Sequence, residues 1–96
     1  MTVLEYLEIR NGDIEHAAEI VEDVMKECGF DEIQIDGMYE NFKTQIYCYD
    51  FLWDNPTNTI IDCLFNEASH FIEERTDYQT DFYVNGWDSH FSVKKV

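Results

Sequence analysis

The chain has 96 residues, with 21 Asp or Glu against 6 Lys or Arg and a formal charge of −15. A chain this short buries only about 60–65% of its unfolded surface, enough for one core and not two, so a single α+β domain over residues 1–96 is expected. The isoelectric point near 4.1 excludes direct binding to nucleic acid or anionic lipid, whose phosphates would repel such a surface, and points to a basic partner.

Acidic tails that stay disordered lack apolar side chains, whereas seven Phe, six Tyr and two Trp are spread along this chain. No apolar run reaches bilayer-spanning length, and the opening MTVLEYLEIRNGD carries acids where a secretory signal needs a basic end. A cytoplasmic protein is expected. Cys28, Cys48 and Cys63 stand twenty and fifteen residues apart without a C-x-x-C pair, so buried thiols are expected and neither a disulfide framework nor a zinc site.

Thr2 to Ile9 fits a strand through Val3, Leu7 and Ile9, with Glu5 misplaced, and also a helical turn through Val3, Leu4 and Leu7. The strand is preferred, because the three-residue link Asn11-Gly12-Asp13 suits a strand-to-helix connection. From Asp13 to Gly29, Ile14, Ala17, Ala18, Val21, Val24, Met25 and Cys28 recur at three- and four-residue steps and predict an amphipathic helix. Asp13 suits its N-cap, Gly29 the left-handed position beyond its last turn, and Phe30 can fold back on Met25.

Glu32 to Asp36 alternates with Ile33 and Ile35 on one side, and Thr44 to Phe51 alternates Ile46 and Cys48 against Tyr47, Tyr49 and Phe51. Two strands joined across Gly37 to Lys43 are expected. Asn55-Pro56 signals the start of a second helix that carries Ile60, Ile61, Leu64, Phe65, Ala68 and Ile72 and ends near Thr76. Thr80 to Val93 alternates about Asn85-Gly86, the dipeptide favoured in a type I′ hairpin turn. That register puts Phe82, Val84, Trp87, Phe91 and Val93 on the core face, and Asp81, Tyr83, Asp88 and His90 on the other, with His90 opposite Asp81.

This order of elements predicts two helices packed on one face of a four- to five-stranded, mostly antiparallel sheet, in the β-α-β-β-α-β-β order of ferredoxin-like folds.

Few residues are arranged for chemistry. The glycines at 12, 29, 37 and 86 fall at predicted turns or caps and match no phosphate-cradling motif. Ser69-His70 and Ser89-His90 are adjacent in sequence, so their side chains diverge and cannot pair as nucleophile and base. Glu67-x-x-His70 with Glu74 would align three metal-type ligands on one helix, yet it occurs once and without the partner helices of di-iron bundles; a solvated face with His70 near Glu74 explains it better. No catalytic residue, metal or cofactor is expected.

The charge is the functional signal. Glu15, Glu19, Glu22, Asp23 and Glu27 stand opposite the apolar stripe of the first helix, with Lys26 the one basic residue among them. Like charges at such spacing cost a few tenths of a kcal/mol each, a cost that a partner-binding face would explain. On the expected sheet, Glu32, Gln34, Asp36, Tyr47, Tyr49, Asp81, Tyr83 and Asp88 would form a second acidic face with aromatic anchors. Alternatively, Tyr47 and Tyr49 pack beneath the N-terminal segment.

In size, acidity and aromatic content the chain resembles the small phage-encoded DNA-mimic inhibitors, the anti-CRISPR and anti-restriction proteins. The resemblance is one of composition over the whole chain and brings no motif or site residue with it. It implies a non-enzymatic inhibitor that occupies the basic nucleic-acid-binding channel of a host nuclease complex, a CRISPR effector or a restriction enzyme, in the host cytoplasm. The alternatives are an immunity protein that caps a basic nuclease toxin and a generic acidic interaction domain.

Overall fold

A computed structural model describes residues 12–47 and 56–96. Within them lie three helices, α1 (Gly12–Glu27), α2 (Glu32–Tyr47) and α3 (Pro56–Arg75), followed by a hairpin of β1 (Tyr78–Tyr83) and β2 (His90–Lys95) whose connection holds a 3-10 turn, Gly86–Asp88. The expected first strand lies outside the described residues.

The expected sheet of four to five strands is corrected. The described sheet has two antiparallel strands, β1 and β2; the segment read as a strand over Glu32–Asp36, and the part up to Tyr47 of the one read as a strand over Thr44–Phe51, belong to one continuous helix, α2, and the rest of the latter lies outside the described residues. Two signals decide in favour of the helix. Ile35, Met38, Tyr39, Phe42 and Ile46 recur at helical steps and are all buried, whereas Ile33, the other half of the apparent alternation, is 81% exposed. The start is also fixed by a reciprocal capping box, in which the Gln34 amide donates to Asp31 Oδ1 at 2.9 Å and the Asp31 amide donates to Gln34 Oε1 at 3.0 Å.

α1 ends as its sequence predicts. Gly29 takes a φ of +94°, the Gly29 amide donates to the Lys26 carbonyl at 3.0 Å, and the Phe30 amide reaches back to the Met25 carbonyl at 3.1 Å. This Schellman arrangement and the following capping box occupy one short connection, so α1 hands directly to α2.

The three helices bury their apolar stripes against one another and against the inner face of the hairpin in a single cluster. α3 is central to it, packing on α1, α2 and β1, while α1 also meets β2 and the 3-10 turn. Phe65 of α3 meets Phe82 and Phe91 at ring separations of 5.7 and 5.2 Å. The outward side chains of β1 are Gln79, Asp81 and Tyr83.

The hairpin connection also differs from expectation. Tyr83 pairs with His90, Phe82 with Phe91 and Asp81 with Ser92, so His90 is not opposite Asp81, and the loop is longer than a two-residue I′ turn. Asn85 has φ −158° and ψ 71°, far from the positive φ that a I′ turn requires, whereas Gly86 is left-handed, at +52°. The second strand is displaced by two residues, with Tyr83 opposite His90 and not Asp88; a shift of two keeps side-chain parity, which is why Phe82, Phe91 and Val93 still face the core. Trp87 does not: it is 58% exposed.

Candidate functional site

α1 exposes the carboxylates of Glu15, Glu19, Asp23 and Glu27, with Glu22 half-buried at the border of the core. They arise on one side because its other side must present Ile14, Ala17, Ala18, Val21 and Met25 to the interior. A shallow depression lined by Glu22, Lys26, Glu32, Ile35 and Asp36 joins α1 to the start of α2, and a neighbouring one is lined by Glu19, Glu22, Asp23 and Lys26. Five carboxylates from two helices thus gather about Lys26.

The helices are held in this register by a bond at the edge of the core. Buried Tyr39 of α2 donates its phenolic hydroxyl to Glu22 Oε2 at 2.7 Å. Burial, the Glu22 bond and the nearby Glu22 and Asp36 charges push the Tyr39 hydroxyl well above the usual phenol range. Tyr39 is therefore a fixed donor under ordinary conditions, and it turns one carboxylate oxygen of Glu22 toward the protein.

The structure divides the expected partner-binding residues. Glu19, Glu22 and Asp23 meet Glu32 and Asp36, a grouping of α1 with α2 rather than with a sheet. Glu15 and Glu27 share α1. Asp81 and Tyr83 lie on the outward face of β1, and exposed Asp88 ends the 3-10 turn. The proposed sheet face that would have joined Glu32 and Asp36 to these three does not form, because α2 is a helix. Tyr47 ends α2, and Tyr49 lies outside the described residues.

On α3, His70 Nε2 meets Glu74 Oε1 at 2.8 Å, and Arg75 lies 3.5 Å from the other oxygen of Glu74. The pKa of Glu67 is raised, chiefly by partial desolvation and further by Glu74, with His70 opposing. Among the described residues no group of three His, Cys, Asp or Glu side chains is placed to hold a metal ion, and no helix is long and apolar enough to cross a membrane.

One feature escaped the sequence pattern: the indole of Trp87 stacks on the imidazole of His16, with ring centres 4.1 Å apart and planes 10° from parallel. Its position at an alternating site beside Asn85-Gly86 read as core, and only the longer loop turns it outward. No protein-family model, curated protein or solved structure matches the chain.

Proposed function

We propose that the protein is a small acidic inhibitor, of the anti-CRISPR or anti-restriction kind, that occupies the basic nucleic-acid-binding surface of a nuclease or effector complex. The observation that supports it most is the gathering of Glu19, Glu22 and Asp23 of α1 with Glu32 and Asp36 of α2 on one surface in a chain of net charge −15. A Lys/Arg channel built to neutralise phosphates binds a rigid array of carboxylates for the same electrostatic reason. The helical frame holds the Cβ atoms of residues three and four apart about 5–6 Å from one another, so the backbone part of the ordering cost is met at folding and not at binding. Long-range attraction would speed association, to roughly 10⁷–10⁹ M⁻¹s⁻¹ at low salt.

The test is capture of partners from candidate bacterial lysates on the tagged protein, with washes at moderate and high salt, followed by DNA-binding assays on the retained complex. A nuclease complex that is released by salt and cannot bind DNA while captured would support the proposal. Capture of one small basic toxin, whose nuclease activity the protein blocks, would replace it with the immunity reading. A purified complex that binds its DNA equally well with and without saturating protein would refute inhibition at that surface.

A further inference from the structure

Trp87 combines two properties that rarely coincide: a wide exposed aromatic surface and a tightly fixed backbone. The indole is 58% exposed although one of its faces lies on His16, so its second face is open to solvent. Its loop is bonded from within and from outside. Ser89, only 2% exposed, donates its hydroxyl to the Gly86 carbonyl at 2.7 Å and accepts from the Asn85 amide at 2.9 Å. The Gly86 amide donates to Asn58 Oδ1 of α3 at 2.8 Å, and the Asp88 amide closes on the Asn85 carbonyl at 2.9 Å. A large aromatic ring presented by a fixed frame loses little entropy on binding, and such rings dominate interface energies.

The charge around the ring specifies what it would take. Exposed Asp88 adjoins Trp87 in the loop, and exposed Glu19 lies one helical turn from His16 on α1, with exposed Asp23 a further turn along. A planar cation that stacks on the open indole face could reach a carboxylate at its edge. Guanidinium does both, whereas an ammonium is drawn to the ring face as a point charge and has neither the planar stack nor the fork of donors.

Building on the polyanion function above, we propose that the Trp87–His16 stack is the aromatic anchor of the binding surface and takes an arginine side chain of the basic partner, with Asp88 or Glu19 pairing its edge. Contact at this point extends the surface from the α1–α2 carboxylates along α1 to the hairpin loop.

The test compares an arginine-only with a lysine-only peptide of equal length, titrated into the intact protein by calorimetry and followed at the Trp87 indole N–H resonance, assigned by its loss in Trp87→Phe. The arginine peptide should bind about two- to fivefold more tightly and shift that resonance. Trp87→Ala should abolish the preference by weakening the arginine peptide more than the lysine peptide, while Glu19→Gln with Asp23→Asn should weaken both peptides. Trp87 is exposed, so its truncation should spare the fold, as circular dichroism would check. Equal affinities with a silent indole, or a preference that survives Trp87→Ala, would overturn the anchor and leave the polyanion function standing. Failure of both peptides to bind would overturn the two together.

Discussion

Burial of two ionisable side chains on facing elements makes the fold sensitive to alkali. Burial pushes the Cys63 thiol up from 9.0 to about 11, helped by Glu67 and Asp62, and Tyr39 moves in the same direction. In both cases the folded state holds a proton that the unfolded chain releases. The stability is therefore fully present below the unfolded pKa and is lost as pH rises through the folded one. Urea unfolding should show a decline from about pH 9 to 11 on the order of 2 kcal/mol for Cys63. Cys63→Ala should reduce the decline below about pH 10, where Tyr39 does not yet contribute and where Cys28, its thiol raised by partial burial and by Glu27, supplies a further part; an unchanged slope would remove Cys63 from the effect. Tyr39→Phe should cost about 1 kcal/mol near neutrality by removing the bond to Glu22.

Glu73 presents the opposite sign. Its carboxylate accepts from the Thr80 amide and hydroxyl, both at 2.8 Å, and these bonds lower its pKa. The contribution is present above the unfolded pKa and is lost as pH falls through the folded one. The Thr80 amide, through which β1 is bonded to Glu73 of α3, should lose hydrogen-exchange protection in acid. Glu73→Gln should weaken that protection at neutral pH as well, and a Thr80 amide equally protected in the variant would remove the carboxylate from this role.

At the scale of elements, α1 and α3 were legible and α2 was not. The stripes agreed in the first two, as did the end of α1 at Gly29 and Phe30 and the start of α3 at Pro56 ahead of an apolar series that the structure buries, whereas Asp13, expected as the N-cap of α1, lies inside its first turn. In α2 local preference pulled the other way. Ile33 and Ile35 are β-branched residues two apart, and Gly37 looks like a turn, so the short window favoured strands. The longer series from Ile35 to Ile46 and the Asp31-x-x-Gln34 box carried the correct answer over a wider span. Packing of this stripe outweighs the local preference.

Gly37 gives a direct check, since it sits inside α2 and a Cβ there would meet nothing within 4 Å. Gly37→Ala should stabilise the protein by about 0.5–1 kcal/mol in urea melts, because alanine restricts the unfolded chain and favours helix. A loss of stability would restore a turn at this position. Removing either half of the capping box, by Asp31→Ala or Gln34→Ala, should cost about 0.5–2 kcal/mol, and the double variant should cost less than the sum.

At the scale of the whole molecule, composition pointed to a charged surface but not to its map. The apolar stripe of α1 places its acids on the opposite side, while the local alternation of Glu32 to Asp36 points to a sheet face that α2 does not form. Their actual neighbours, Glu22 and Lys26, follow from how two helices meet. No pattern within either segment encodes that meeting. The charge itself yields a prediction independent of any partner: net charge far from zero strains the compact state, so the melting temperature should rise as salt screens it. Replacing Glu15, Glu19 and Asp23 by lysine should raise the melting temperature at low salt, narrow its salt dependence and weaken capture of a nuclease complex. Capture at undiminished strength would move the site away from α1.

The packing of α1 against β2 and the 3-10 turn has a further consequence, for the order in which the molecule assembles. α1 and α2 are joined by a few residues, and β1 and β2 form a local hairpin, so both halves can organise from nearby sequence. Their union cannot, because it brings the first described helix to the last described strand and must close most of the chain between them. Folding should therefore be slower than in a helical bundle of equal length, with closure of this seam expected to come late. The same seam carries the His16–Trp87 stack, so in a Trp53→Phe variant, which leaves Trp87 as the one indole, stopped-flow fluorescence should show that signal arriving after most of the helix has formed.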